Sequence, residues 1–235
     1  MRPPRRQKLP EAPAVVVLAV KPDQAETVLT DLAASIGPGT VVLSIAAGRT
    51  LESLARALPP ESAVVRAMPN TPASVGAGMT VCVANPHVSR AQRDECDALL
   101  AAVGEVAWVE DEALIDAVTA VSGSGPAYVF HLAECLERAG IEAGLAPDLA
   151  ARLARATVSG AGALLKQSEL DAATLRANVT SPKGTTAAAL EVLMDDDALT
   201  DLMTRAVAAA ANAPASSRPE SRLTSCRRGG RPVFR

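Results

Sequence analysis

The chain has few aromatic residues, and this scarcity argues against two kinds of binding surface. Its 235 residues include two Phe, one Tyr and one Trp, so aromatics make up 2% of the sequence. Proteins that stack nucleic-acid bases, or that cage ligands between rings, need more of them. The formal net charge of −3 gives no reason to expect a polyanionic partner either.

Long apolar runs and paired cysteines are also missing. No stretch reaches the roughly 18–20 apolar residues that cross a bilayer, and the basic N-terminus "MRPPRRQKLP" lacks the apolar core of a secretory signal. Cys82, Cys96, Cys135 and Cys226 show no CxxC spacing, so we expect reduced, mostly packed thiols and no disulfide or metal site. These absences predict a soluble, cytoplasmic protein.

From Ala14 to about Val109, short β-branched runs alternate with amphipathic stretches. The apolar runs predict strands buried in a sheet, at "AVVVLAV" (14–20), "TVVLSIAAG" (40–48), "SAVVRAMPN" (62–70), "GMTVCVAN" (78–85) and "EVAWVE" (105–110). Helical spacing fills the segments 23–36, 50–59 and 89–104, with Thr50 as a candidate N-cap. This alternation predicts a parallel, doubly wound α/β sheet.

The second part of the chain has the apolar spacing of helices. Helices are predicted at 112–121, 126–140, 147–167, 168–179, 185–194 and 197–212. We therefore divide the chain into an α/β part (14–110) and an all-α part (111–211). The ends, residues 1–13 and 212–235, are basic, and we expect them to be disordered.

Polar loops mark the places where a ligand could bind. An open α/β sheet binds ligands at the carboxyl ends of its strands, where the loops "AVKPDQ" (19–24), "SIAAG" (44–48) and "RAMPNTPASVGAG" (66–78) fall. In the helical part, "VSGSGPAY" (121–128) is either a turn capped by Ser124 or an anion site at a helix start.

A second helix start has the same character. "VTSPKGTT" (179–186) is either a connector or a seat for a carboxylate or phosphate, lined by the hydroxyls of Ser181, Thr185 and Thr186.

Five segments in this order, "AVKP", "SIAAG", "MPNTPA", "VSGSGPAY" and "VTSPKGTT", resemble the pyrroline-5-carboxylate reductase family between about Val15 and Ala211. The resemblance implies an incomplete Rossmann-type parallel sheet followed by an all-α dimerisation domain. It also implies an oxidoreductase that reduces 1-pyrroline-5-carboxylate to L-proline with NADPH or NADH, the last step of proline biosynthesis. The implied assembly is a homodimer through the helical part, with a larger ring as a further possibility.

The same resemblance implies roles for individual residues. Ser181, Thr185 and Thr186 correspond to the loop that binds the substrate carboxylate, and Thr186, or a water, is the candidate proton donor. The residues implied to bind the cofactor are Ala19, Val20, Lys21, Pro22, Ala46, Ala47, Met68, Asn70 and Asn178. Lys183 stands where many relatives carry Gly, and its ammonium could assist carboxylate binding. His87 and His131, the only histidines, belong to none of these segments.

The ends of the chain depart from the family pattern. The family begins with a strand and a Gly-rich turn that holds the cofactor pyrophosphate, which "MRPPRRQKLPEAP" does not supply. A truncated or misread gene would explain both ends. The alternative to a working reductase is then a non-catalytic remnant that dimerises without holding the dinucleotide. A β-hydroxyacid reductase is the weaker third reading, since only Lys166 and Lys183 could serve as its catalytic lysine in the helical part.

Overall fold

The computed structural model describes residues 12–213. Five strands lie in its first half: β1 (Val15–Leu18), β2 (Val41–Ser44), β3 (Ala63–Pro69), β4 (Gly78–Ala84) and β5 (Gly104–Trp108). Three helices connect them: α1 (Ala25–Leu32), α2 (Leu51–Ala55) and α3 (Arg90–Ala101). The predicted disordered ends lie outside the described residues, apart from residues 12–13 and 212–213 at their margins.

The strands form one sheet in the order β1-β2-β3-β4-β5. Neighbouring strands are parallel except for β3 and β4, which are antiparallel. The predicted sheet is confirmed, with this one antiparallel pair that the strand–helix alternation did not indicate. Its cause is the connection at 70–77, because a parallel crossover needs about a dozen residues or more. The connection after β3 therefore contains only the short 3₁₀ helix Thr71–Val75 before the antiparallel strand β4 begins.

The sheet core has two faces, as the continuous apolar runs predict. Val41, Leu43 and Val65 pack with the thiol-bearing side chains of Cys82 and Cys96 on one face. The alternate positions of the same strands, Val42 and Val64, pack with Leu18, Leu29 and Leu54 on the other.

Polar caps fix where several helices begin. The Thr50 side chain accepts a hydrogen bond from the backbone N–H of Ser53 (3.2 Å), which confirms the predicted N-cap. Ser89 and Gln92 form a capping box at the start of α3. The helix after Thr50 is shorter than predicted, since α2 ends at Ala55 and Pro59 and Pro60 follow.

The second half is helical. Its helices are α4 (Leu114–Val118), α5 (Gly125–Glu142), α6 (Pro147–Gln167), α7 (Ala172–Asn178), α8 (Thr185–Met194) and α9 (Ala198–Ala211). A single π-helical segment, Thr119–Gly123, joins α4 to α5. Many apolar side chains on these helices are exposed, including Phe130 at 65% and Val192 at 73%. Apolar surface on this scale is typical of a protein–protein interface.

Within residues 12–213, the structure contains no helix that combines the length and the apolar character needed to span a bilayer.

Candidate active site

A cleft of about 390 Å³ lies where the sheet meets the helical part. Ala47 and Gly48, which follow β2, and Arg66 and Met68 of β3 form one wall. The facing wall belongs to the helical part and comprises Asp116, Thr119, Gly123, Ser124, Ala210, Ala211 and Ala213. Because β2 and β3 are parallel and the cleft borders their carboxyl ends, it occupies the position where α/β sheets bind ligands.

Two predicted cofactor residues, Ala47 and Met68, line this cleft directly. Ala46 lies beside them but is buried, and its backbone N–H donates to Ser44 Oγ at 3.3 Å. Gly48 has a φ of +74°, the left-handed conformation that glycine adopts without strain. The tight backbone at 46–48 thus presents small side chains to the cleft, which leaves room for a flat ring.

The predicted loop at 19–22 is tied to the loop at 46–48 by Arg49. Arg49 Nε donates to the carbonyl oxygen of Pro22 at 2.6 Å, and its Nη1 lies 3.1 Å from Glu26 Oε1. Ala19, Lys21 and Pro22 are exposed at this edge. The structure therefore holds the first two predicted cofactor loops together, through an arginine that motif reading did not single out.

Asn70 holds the third loop in place. Its Oδ1 accepts the backbone N–H of Met79 at 2.9 Å, and its Nδ2 donates to Ser122 Oγ at 3.2 Å. Ser122 belongs to the π-helical segment. Asn70 thus bridges the sheet and the helical part, and these bonds occupy its carbonyl oxygen and one amide hydrogen.

The segment "VSGSGPAY" does not turn between two helices as one of the two interpretations predicted. The chain runs on through the π-helical segment into α5, and the Ser124 side chain makes no capping bond. The Ser124 N–H donates to the Thr119 carbonyl at 2.8 Å, and Tyr128 Oη donates to the Ala120 carbonyl at 3.0 Å. Segments of π-helix are frequent at functional sites, and this one places Thr119 and Gly123 on the cleft.

Gly123 permits close contact with the sheet. A Cβ at this position would lie 2.8 Å from Met68 Cε. The glycine therefore lets the π-helical segment approach the methionine that lines the opposite wall.

A partly buried ion pair holds Arg66, one of the residues that line the cleft. Arg66 Nη1 lies 2.7 Å from Glu112 Oε1, and the same oxygen accepts the Leu51 N–H at 2.8 Å. One carboxylate thereby connects β3, the start of α2 and the segment that leads into α4. A cation within the apolar run "SAVVRAM" was the available sequence signal, since Arg is rarely buried without a partner.

The predicted substrate loop is built at the start of α8. Gly184 is the N-cap residue, and its N–H donates to the Ser181 carbonyl at 3.0 Å. Ser181 and Thr185 are exposed and Thr186 is half-buried. The free N–H groups of a helix's first turn favour an anion, so the geometry suits the carboxylate predicted for this loop.

Within one chain, however, the two predicted half-sites are not brought together. Of Ser181, Thr185 and Thr186, none is among the residues that line the 390 Å³ cleft. Asn178, a predicted cofactor contact, is exposed at the end of α7 and also lies outside the cleft lining. The predicted substrate residues and Asn178 thus lie outside the cleft that Ala47 and Met68 line.

The groups whose pKa values are shifted lie away from the cleft. Burial raises the pKa of Cys82 to about 12 and that of Cys96 to about 11. Backbone N–H donation from Thr174 lowers the pKa of Asp171, the N-cap of α7. The hydrogen bond from His131 lowers the pKa of Glu134 on the surface of α5. Cys82, Cys96 and Cys135 are free thiols, whereas Cys226 lies outside the described residues.

Comparison with known proteins gives a consistent set of relatives. Residues 112–216 match the family described as pyrroline-5-carboxylate reductase dimerisation. The pyrroline-5-carboxylate reductase of Synechocystis sp. is 45% identical over 190 residues, which cover 81% of this chain and 70% of that protein. The Pseudomonas aeruginosa enzyme is 48% identical over 177 residues, or 75% of this chain, and the match spans only 65% of that relative's length.

Solved structures agree with the sequence relatives. A pyrroline-5-carboxylate reductase from Coxiella burnetii superposes with a TM-score of 0.80 at 41% identity, covering 85% of this chain and 74% of that one. The Plasmodium falciparum pyrroline carboxylate reductase, solved with NADP bound, gives a TM-score of 0.70 at 31% identity, with 84% and 74% covered.

Proposed function

The chain belongs to the pyrroline-5-carboxylate reductase family, and from this we propose that it reduces 1-pyrroline-5-carboxylate to L-proline with NADPH or NADH. The observation that carries the proposal is the cleft at the carboxyl ends of β2 and β3, lined by Ala47 and Met68. The cleft and the helix start at Thr185, whose free N–H groups favour an anion, would meet the two needs of the reaction, a ring site and a carboxylate site. We propose the cytoplasm as the location, where thiols stay reduced.

The cleft fits the nicotinamide end of the cofactor. Ala47, Gly48 and Gly123 add almost no side-chain bulk to its walls, and a Cβ on Gly123 would reach Met68. Its volume of about 390 Å³ falls within the range of small-ligand sites. When bound, the dinucleotide would supply the hydride that adds to the C=N carbon of the substrate.

The protein's part in the chemistry is to bind and orient. We propose that the Ser181 and Thr185 hydroxyls, with the N–H groups at the start of α8, bind the substrate carboxylate. The imine nitrogen gains one proton as the carbon gains the hydride, and Thr186 or a bound water is the donor that we propose. Fixing the ring against the cofactor is the main source of rate in such a site.

A second copy of the chain would bring the two half-sites together. The predicted substrate residues do not line the cleft of their own chain, and α5, α6, α8 and α9 expose apolar side chains that a partner could bury. The family description of residues 112–216 as a dimerisation region supports this arrangement. We therefore propose that the loop 179–186 of one chain completes the cleft of another in a homodimer.

Mixing two inactive variants tests this arrangement. One variant carries Ala47→Trp, which fills the cleft, and the other carries Ser181→Ala, Thr185→Val and Thr186→Val. After subunit exchange, half of the dimers are mixed and each has one intact site, so about a quarter of the activity returns. No recovery in verified mixed dimers would show that each site is built within one chain.

The primary test is the activity of the purified chain. NADPH or NADH oxidation is followed at increasing 1-pyrroline-5-carboxylate concentrations, with L-proline identified as the product, beside calorimetric binding of each cofactor. The competing candidate is a non-catalytic dimer, which would form through the helical part without binding the dinucleotide. Dimerisation without cofactor binding would favour that candidate and overturn the reductase proposal.

A further inference from the structure

Arg66 is a charged residue in the middle of an apolar strand. Its side chain is 10% exposed, and that of its partner Glu112 is 29% exposed. Only Nη1 of the guanidinium is used in this pair, at 2.7 Å from Glu112 Oε1. Since a guanidinium carries five N–H donors, most of the donor capacity of Arg66 is left for another partner.

The remaining donors of Arg66 reach the cleft. Among residues 12–213, no fully buried side-chain nitrogen or oxygen lacks a hydrogen-bond partner. Nitrogens of Arg66 without a protein partner must therefore touch accessible space. Arg66 lines the cleft beside Ala47 and Gly48, and the cleft is therefore the accessible space that we assign to its free donors.

The charges around Arg66 select the kind of oxygen it can bind. Glu112 neutralises the guanidinium at 2.7 Å, and Asp116 adds a second carboxylate to the cleft wall. The local charge is therefore negative, which disfavours another carboxylate or phosphate. A neutral carbonyl oxygen remains a good acceptor for a charged donor.

From this geometry we propose that Arg66 donates a hydrogen bond to the carboxamide oxygen of the cofactor's nicotinamide ring, and that Glu112 is the positioning residue for Arg66. The inference rests on the proposed function, because it needs a nicotinamide in the cleft. The hydrogen bond would fix which face of the ring, and hence which hydride, points to the substrate.

Binding of whole cofactors and of their ring-free fragments tests the proposal. Affinities are measured for NADPH and NADH, and for 2′-phospho-ADP-ribose and ADP-ribose, which lack the nicotinamide. Arg66→Met is expected to weaken the binding of the whole cofactors roughly ten- to hundredfold, because a hydrogen bond from a charged donor is lost. The affinity for the two fragments should stay the same. The matched control is Arg93→Met, which removes the pair between Arg93 on α3 and Glu110 (3.4 Å). It should change the affinity neither for the cofactors nor for the fragments.

Further variants keep the test valid if Arg66→Met folds poorly. The double variant Arg66→Met/Glu112→Gln leaves no unpaired charge and should show the same loss of cofactor affinity. Glu112→Gln alone retains an acceptor for Arg66 and Leu51 and should retain most of that affinity, whereas Glu112→Ala should not. Equal weakening of cofactors and fragments would mean that Arg66 is merely structural, and would overturn the proposal.

Three other results would also count against the proposal. If Arg66→Met weakened the binding of L-proline but not of the cofactors, the guanidinium would serve the substrate carboxylate and the proposal would be wrong. If the unmodified chain bound neither NADPH nor NADH, the proposed function itself would fail, and this inference with it. If the unmodified chain bound the cofactors and Arg66→Met bound them equally well, the role proposed for Arg66 would be rejected. The proposed function would still stand.

Discussion

Asn70 and Ser122 connect the sheet to the helical part, with Asn70 Nδ2 donating to Ser122 Oγ at 3.2 Å. The other end of the Asn70 amide accepts the Met79 N–H at 2.9 Å. A single side chain thus holds the loop that follows β3, the start of β4 and the π-helical segment in one arrangement. Met68, two residues earlier, lines the cleft, so this bridge sets the position of a cleft wall.

Removing the Asn70 amide should lower both stability and activity. Asn70→Ala leaves the half-buried Met79 N–H without its acceptor, which costs about 1–3 kcal/mol of unfolding free energy. Ser122→Ala removes only the second bond and should cost about 1 kcal/mol. Urea unfolding of both variants, with kcat and KM for the proposed reaction, measures the difference. Equal losses in the two variants would contradict the dominant role given to the Met79 bond.

Periodicity predicted the helices and strands well where local sequence determines them. The predicted segments 147–167 and 185–194 coincide with α6 and α8, and Thr50 caps α2 as expected. These features depend on helical spacing, on Pro147 at the start of α6 and on capping bonds between neighbouring residues. The local sequence therefore determines them.

Tertiary relationships could not be predicted in the same way. The antiparallel pairing of β4 depends on the short loop at 70–77, and the Arg66–Glu112 pair joins residues far apart in sequence. The motifs that resemble a reductase indicated which loops matter. They did not indicate that the loop 179–186 lies outside the cleft of its own chain, because motif order carries no information about which subunit supplies a residue.

The Glu112 carboxylate should contribute strongly to stability. Glu112→Ala leaves Arg66 buried without its counter-ion and removes the acceptor of the Leu51 N–H, which we expect to cost about 3 kcal/mol. Glu52→Ala is the matched control. It removes the exposed Arg56–Glu52 pair on α2 (2.8 Å), for which we expect a loss of about 0.5 kcal/mol or less. Thermal unfolding followed by circular dichroism compares them, and similar losses would refute the importance of the Arg66–Glu112 pair.

Two glycine substitutions should separate activity from stability. In Gly123→Ala, the new Cβ would clash only with the flexible tip of Met68 at 2.8 Å, since Thr119 Cγ2 lies at an ordinary contact distance of 3.5 Å. Unfolding free energy should then change by about 1 kcal/mol or less, while the displaced methionine narrows the cleft and raises KM for the cofactor.

Gly104→Ala provides the contrasting case. Gly104 has a φ of +151°, and a Cβ there would lie 2.0 Å from the backbone oxygen of Gly78 on the neighbouring strand. Backbone cannot yield as a side chain does, so this variant should lose about 4 kcal/mol or more. Thermal unfolding curves of the two glycine variants, measured side by side, test this difference in stability. A Gly104→Ala variant as stable as Gly123→Ala would contradict the close contact between β4 and β5.

The buried thiols should make the fold sensitive to alkali. Burial raises the pKa of Cys82 to about 12 and that of Cys96 to about 11, whereas thiols in the unfolded chain ionise near about 8.5. Above that pH the unfolded state releases protons that the folded state retains. The unfolding free energy therefore falls with rising pH between about 9 and 11, by up to about 1.4 kcal/mol per thiol per pH unit. Cys96→Ala should flatten this slope, and an unchanged slope would contradict the assignment.

Thiol labelling checks the same burial at neutral pH. In a Cys226→Ser background, the buried Cys82 and Cys96 should react with a disulfide reagent only after unfolding. Rapid labelling of these two thiols in the native protein would show that the sheet core is open.

Replacing Lys183 with glycine should stabilise the substrate loop. Lys183 has a φ of +58°, the left-handed region where a side chain costs about 1–2 kcal/mol. We expect Lys183→Gly to raise the unfolding free energy by about 1 kcal/mol. Lys183→Asn should raise it by less, because Asn tolerates this conformation only in part.

The same substitution tests whether the ammonium of Lys183 helps to bind substrate. Lys183→Arg keeps the charge and the strain, so its KM for 1-pyrroline-5-carboxylate should match that of the unmodified chain. If the charge attracts the carboxylate, Lys183→Gly raises this KM while kcat stays the same, because uniform binding is lost. Added salt then raises the KM of the unmodified chain but not that of the variant, since salt screens the charge. A more stable variant with an unchanged KM would leave backbone strain as the only consequence of Lys183.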